Sequence, residues 1–303
     1  MKNKSVTYLG IFLALIGVVL FSTKAIFVKL AYEYGVDTIT LLLLRMLFSM
    51  PVYVVVLVFL KKKTLISLKF KDYFWLFFFS FVGYYLASYF DFIGLRYIKA
   101  GLERVVLFVY PTLVLLLGRL FLKVKVTRAQ LLAIVLTYIG VIIAFYNELS
   151  YGGNEVYIGV SFVFFSALTY AMYLVGSGWL LPRFGVLRYT SYAMLAATFC
   201  VFVHYLSVPT DSLFSYESEV YYLGGAMALF STVIPSFFVS KAIKMIGSGN
   251  FSIIGSVGPI TTLILANIFL GELFSSHQII GTVIVITGVL LLSRSEIKKS
   301  NQI

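Results

Sequence analysis

Seven ionisable side chains stand inside long apolar runs of this sequence: Lys24, Lys29, Arg45, Asp91, Glu103, Arg104 and Arg119. A charge held at mid-bilayer depth costs about 2.5–3.5 kcal/mol on insertion scales, so such residues face a cavity or a partner. Helical rise at ~1.5 Å per residue sorts them by depth. Lys24, Arg45, Asp91, Glu103 and Arg104 fall in one half of the apolar layer and make a candidate network of three cations and two carboxylates. Arg119 and Lys29 lie near span ends, where a long stem carries the charge to the headgroups. Two chemistries suit the network. Lys24, Arg45 and Arg104 are candidate anchors for a carboxylate or other anionic group, with Asp91 or Glu103 taking an amine or a coupling proton. Alternatively, Lys24 with Asp91 and Glu103 with Arg45 form a structural lattice that closes one side.

Polar residues recur at helical spacing beside these charges: Tyr84, Ser88 and Asp91; Ser166, Thr169, Tyr173 and Ser177; Thr232, Ser236 and Ser240; and Asn250, Ser252, Ser256, Thr261, Thr262 and Asn267. They line an aqueous path or serve helix packing, which also uses small hydroxyl residues. Tyr110, Tyr173, Ser236 and Asn250 join the charged residues as candidate substrate contacts. No catalytic or metal-ligating set is expected: one cysteine, Cys200, and two histidines, His204 and His277, make neither a thiolate cluster nor a His-rich site. HExxH and the phosphate-binding GxxxxGK[ST] are both absent from the sequence. No cofactor is expected.

The elements that must position these residues are apolar helices. The chain is 61% hydrophobic and 12% charged, against about a quarter charged in soluble domains. Lipid is therefore the expected solvent, and the fold class an all-α integral membrane protein. About 20 apolar residues cross the hydrocarbon, which predicts ten spans near 6–31, 38–60, 73–95, 99–122, 128–146, 156–180, 188–206, 220–243, 250–271 and 276–293. The first is read as a retained span, because its apolar body exceeds that of a signal peptide and no small-residue cleavage site follows. One set of loops carries 17 basic residues against Asp72 and Glu296. The basic side faces the cytoplasm, which places both termini inside a multi-pass protein of the cytoplasmic membrane. The net charge of +12 is thus a membrane-orientation signal and not a nucleic-acid footprint.

Proline interrupts two of the runs, at Pro111 and Pro259. A shift of 148 residues superposes them, and with them Gly101 on Gly249, Gln130 on Gln278 and Gly140 on Gly288. The expectation is two five-span repeats, 1–147 and 148–303. Since five is odd, the second enters the bilayer inverted, as in secondary transporters. Pro111 and Pro259 then lie near the midplane as candidate hinges, or as fixed packing kinks.

The segments FSTKAIFVKLAYEYGVDTITLLLLR (Phe21 to Arg45) and GSGNFSIIGSVGPITTLILANIFLGELFSSHQIIGTVIVITGVLLL (Gly247 to Leu292) resemble the drug/metabolite transporter superfamily, in its EamA-type ten-helix branch. The resemblance extends over nearly the whole chain. It departs after the fourth span, where that family often has Gly-Glu and this chain has Lys123 and Val124. It implies a basket of helices around a central cavity lined by spans 1, 3, 4, 6, 8 and 9. It also implies export or exchange of small metabolites such as amino acids by alternating access. The partners are then the bilayer, a small-molecule substrate, and a coupling proton or counter-substrate. Proton-coupled efflux of cationic drugs is the nearest alternative; an intramembrane enzyme and a channel are the alternatives of other classes.

Overall fold

The computed structural model describes residues 4–60, 68–122, 128–151, 153–255 and 257–300. The basic residues Lys2, Lys61, Lys62, Lys63, Lys123 and Lys125 lie outside them, as do Val124 and Ser256. The described residues are helical nearly throughout, with no strand. In chain order they form α1 (Lys4–Tyr32), α2 (Thr38–Phe59), α3 (Phe70–Tyr97), α4 (Ala100–Leu107 and Tyr110–Leu122), α5 (Arg128–Tyr151), α6 (Gly153–Phe184), α7 (Val186–Ser207), α8 (Ser218–Ile246), α9 (Ser248–Ile254 and Val257–Leu270) and α10 (Ser276–Ser300). Eight of them, all but α5 and α10, are long and apolar enough to cross a membrane. The ten-span count goes beyond this by including those two.

Large apolar side chains cover the outside. Phe59, Leu120, Phe121, Leu206 and Ile268 are all well exposed. Water would penalise each at about 25 cal/mol per Å² of apolar area, whereas lipid does not.

The two halves of the chain interlock. α1 seats against α8 and α9, while α6 seats against α3 and α4. α2 packs on α7, and α5 on α10. The α5–α10 crossing places Gly140 against Gly281. A Cβ added at Gly140 would come within 2.7 Å of the Gly281 carbonyl oxygen and of the Val285 amide nitrogen, so the backbones touch as they do where small residues face each other in membranes.

The helices break in matching places. α3 contains a π turn over Phe81–Leu86 and α8 one over Leu229–Val233, 148 residues apart at their starts. There the Ala87 amide reaches the carbonyl of Val82, and the Ile234 amide that of Leu229. π-bulges of this kind cluster at functional sites. α4 is interrupted between Leu107 and Tyr110, and α9 between Ile254 and Val257. Pro111 and Pro259 sit in the first turn of the segments that follow. An N–H is not needed in that turn, so proline is tolerated there.

Short links hold the bundle ends. Only Ile98 and Lys99 separate α3 from α4. Asp37 caps α2, its Oδ1 accepting from the amides of Ile39 and Thr40 at 3.0 Å. Its other oxygen accepts from the Tyr216 hydroxyl at 3.0 Å. Burial, and then this carboxylate partner, push the Tyr216 phenol up to about 12, so it stays a donor.

Candidate functional site

A cavity of about 70 Å³ lies where α1, α3, α4, α6, α8 and α9 converge. These are the helices that the family resemblance implies. Lys24, Ser88, Arg104 and Ser166 supply its polar wall, and Phe21, Tyr84, Phe108, Tyr110, Tyr170 and Phe251 its aromatic one. Sites for small organic molecules run to about 300–1,000 Å³, so this state is contracted and must widen to admit a metabolite.

Lys24 on α1 pairs with Asp91 on α3, Nζ to Oδ2, at 2.6 Å, and both are shut off from solvent. Glu103, fully buried, places its carboxyl beside that of Asp91. Neither Glu103 oxygen has a hydrogen-bond donor among the described residues. The neighbouring Arg104 Nε lies 3.7 Å from Glu103 Oε2, beyond hydrogen-bond reach. Two carboxyls so close can share a single proton, because like charges at contact disfavour each other. The Arg104 guanidinium spans three helices. Its Nε donates to Thr262 Oγ1 of α9 at 3.0 Å and an Nη to the Phe21 carbonyl of α1 at 3.4 Å.

Arg45 is placed differently from the lattice expected of it. It makes no pair with Glu103; its Nη2 donates to Ser88 Oγ at 2.9 Å and its guanidinium lies 5.0 Å from the centre of the Phe92 ring. Through Ser88 it is one hydrogen bond from the cavity wall. Its Nε is buried without an acceptor. The five charges therefore do assemble in one cluster, with one more cation than carboxylate.

The remaining candidates divide. Tyr110 lines the cavity and donates to the Ser252 carbonyl of α9 at 3.3 Å. Tyr173 lies just behind the wall, donating to the Tyr84 hydroxyl at 3.1 Å. Gly83 lets it approach, since a Cβ there would overlap the Tyr173 side chain. Ser236 is bonded to the Tyr53 hydroxyl at 2.9 Å, away from the cavity. Asn250 donates to the Ile246 carbonyl at 2.8 Å, also away from it. Ser177 and Ser240 are likewise taken up by Tyr189 and Thr190, so these members of the polar stripes serve packing. Of the aromatic wall, Tyr84 and Tyr110 were among the sequence candidates and the rest were not: phenylalanine is so common here, at 29 residues, that no spacing marked Phe21, Phe108 or Phe251. Thr262, the partner of Arg104, was visible only as one hydroxyl among many on α9. Among the described residues no group of His, Cys, Asp and Glu could hold a metal ion.

The sequence model of the EamA-like transporter family matches this chain twice, over residues 8–146 and 157–294. The chain belongs to the EamA-like transporter family. It is 29% identical over 290 residues to the "Uncharacterized transporter YcbK" of Bacillus subtilis (strain 168), covering 92% of each chain. An "Uncharacterized transporter" of Archaeoglobus fulgidus is 24% identical over 204 residues, which are 67% of this chain and 71% of that one. A crystal structure at 15% identity superposes with a TM-score of 0.68, covering 95% of this chain and 96% of the other, which is a likeness of fold. This EamA-like protein is thus a multi-pass membrane transporter, not an enzyme, and the cavity at the junction of its halves is its candidate substrate site.

Proposed function

We propose that this EamA-like transporter is a secondary carrier of the cytoplasmic membrane that exports or exchanges amino acids or related small carboxylates by alternating access. The observation that carries the reading is the placement of Lys24 and Arg104 on the wall of an aromatic-lined cavity between the halves. A carboxylate entering a widened cavity would meet both cations, and its apolar body the rings of Tyr84, Phe108, Tyr110 and Phe251. Asp91 and Glu103 would take the ammonium of an amino acid, or release a proton as the substrate neutralises Lys24. Arg45, bonded to Ser88, is the cluster's excess cation.

The mechanism uses ten spans, α5 and α10 included, arranged as inverted repeats 1–147 and 148–303. Three observations support the repeats: the double family match, the π turns 148 residues apart, and the paired breaks in α4 and α9. The halves rock about Pro111 and Pro259, with both termini cytoplasmic as the basic loops suggest. The test is counterflow in proteoliposomes preloaded with a mixed pool of unlabelled amino acids. Saturable, transient accumulation of an outside label supports the reading. A flat response across amino acids and organic acids overturns the substrate class.

A second reading rests on Glu103, buried without a donor. It is proton-coupled efflux of cationic drugs, with Asp91 and Glu103 as the cation site. Proton release driven by a lipophilic cation, with no response to carboxylates, selects it over the first.

A further inference from the structure

A second cavity, of about 500 Å³, opens at the end of the bundle where α1 finishes and α10 begins. Its walls are the end of α1, the turn that follows it, and the ends of α3 and α9. Sites for small organic molecules run to about 300–1,000 Å³, so this space already has the volume that the central cavity lacks. It continues the central cavity along the same helices. Lys29 stands five residues beyond Lys24 on α1, about 7.5 Å along the axis. Leu95 stands one turn beyond Asp91 on α3. On α9, Thr262 lies between Gly258 of the central cavity and Leu270 of the outer one. The Lys24–Asp91 pair and the Arg104–Thr262 bond thus stand at the level between the two spaces.

Two cations face the outer cavity. Arg96 is held in place, its guanidinium 5.2 Å from the centre of the Tyr32 ring and its Nη2 donating to the Val36 carbonyl at 3.4 Å. Tyr32 is itself fixed: its hydroxyl donates to the Phe92 carbonyl at 2.8 Å and is bonded to the Thr38 hydroxyl at 3.1 Å. A guanidinium carries five N–H donors, and most of those of Arg96 remain for a ligand. Lys29 is half-buried on the wall and makes no ion pair or hydrogen bond among the described residues. Its position near a span end suggested the headgroups; the cavity gives its three donors another use. Glu272 attracts it through space, but that carboxylate is committed elsewhere. Its Oε1 accepts from the Ala100 amide at 2.8 Å and its Oε2 from the Gly101 amide at 3.0 Å, at the start of α4. Glu33, exposed in the turn, is the acid left to meet an amino group.

We propose, resting on the carboxylate reading above for the ligand class, that this outer cavity is a second binding site for small carboxylates. Lys29 and Arg96 anchor the carboxylate, which forms charge-assisted bonds with both. Glu33 takes the ammonium where the ligand is an amino acid, and Leu95 and Leu270 meet its carbon body. A substrate that has passed the Lys24–Asp91 level is held here before it leaves, and a counter-substrate before it enters.

The test reads occupancy of the outer cavity and not transport. In a Cys200→Ser background, Leu270→Cys places a thiol on its wall, and the rate of maleimide labelling is followed in purified protein. A mixed pool of free amino acids and succinate should slow labelling, whereas the same compounds as carboxamides should not. Lys29→Met or Arg96→Met should raise the half-protecting concentration of the pool by about tenfold, which corresponds to about 1.4 kcal/mol. Lys29→Arg, which keeps the charge, should retain most of the protection. Equal protection by the carboxamides, or protection unchanged by both methionine substitutions, overturns the site. Protection that disappears when detergent is replaced by nanodiscs of phosphatidylglycerol assigns the two cations to a lipid phosphate and also overturns it. Counterflow with the same preparations keeps the two readings apart. Carboxylate counterflow without protection rejects the outer site alone; protection without counterflow upholds the site and rejects transport of the pool.

Discussion

Lys24 and Asp91 stand 2.6 Å apart on different helices, α1 and α3, with both charged groups out of solvent. α1 packs with α8 and α9, α3 with α6, so the pair bridges the two groups of helices that flank the cavity. A substrate carboxylate that takes Lys24 must therefore loosen a tie across the cavity. Binding and opening become one event.

Removing one member of the pair leaves the other buried and uncompensated. Lys24→Met or Asp91→Asn alone should destabilise the protein by about 3–5 kcal/mol, and the double substitution by clearly less than their sum. Denaturation midpoints of the three variants in detergent measure the coupling.

Arg104→Lys keeps the charge and loses the fork that reaches Thr262 and Phe21 at once. Lysine cannot hold both acceptors in that geometry. The expected outcome is a fall in counterflow rate of about tenfold, equivalent to roughly 1.4 kcal/mol, with retained expression. An unchanged rate would remove Arg104 from the site.

The Asp91 and Glu103 carboxyls face Lys24 and Arg104, and Asp91 also faces Arg45 and the phenol of Tyr32. If this acid pair carries the coupling proton, Glu103→Gln leaves exchange running and flattens its dependence on pH, whereas Asp91→Asn, which also unpairs Lys24, lowers the rate at every pH. Initial rates from pH 5.5 to about 8.5, a window spanning the range of shared-proton carboxyls and histidine, decide it. A profile that survives Glu103→Gln unchanged dismisses the pair from that role.

Two glycines should behave oppositely. Gly140→Leu drives a side chain into the backbone of α10 and should prevent a folded, monodisperse protein. Gly118 has no neighbour within 4 Å of an added Cβ, and Gly118→Ala should be neutral or stabilise α4 by up to about 1 kcal/mol. Thermal midpoints in detergent compare them.

Tyr216 lies in the loop before α8, outside the apolar helices. Its phenol is raised above the unfolded value, so its bond to Asp37 contributes fully below the unfolded value of about 10 and is lost as pH rises through about 12. Tyr216→Phe should remove it at neutral pH at a cost of roughly 0.5–1 kcal/mol, at the low end because the pair is partly in water. The difference from the parent should vanish above pH 12.

Much of the helix plan was readable because apolar length is a one-dimensional property. Even the tight link at Ile98–Lys99 showed as a gap in the apolar run. The buried charges were readable for the same reason: Lys24, Asp91, Glu103 and Arg104 are costly where they stand, and cost marks them. Which charge meets which was not. Arg45 could reach Glu103 or Ser88 with equal ease from its depth, and the choice is made by helix rotation, which sequence spacing does not fix. Nor could spacing tell Ser88 and Ser166, on the cavity, from Ser236, turned to Tyr53. The π turns carried no sequence signal, since an extra residue in a helical turn leaves the apolar pattern nearly unchanged.

The seating of α1 on α8 and α9, and of α6 on α3 and α4, sets a timetable for synthesis. Helices enter the bilayer in the order the ribosome makes them, so α1 waits through most of translation for the surfaces it will cover. α3 and α4 wait only for α6. During that interval Arg104 lacks its Thr262 acceptor on α9, and lipid offers none. A chain arrested after its first half is therefore an unfinished bundle with polar groups turned to hydrocarbon, a form that membrane quality control can tell from the finished transporter.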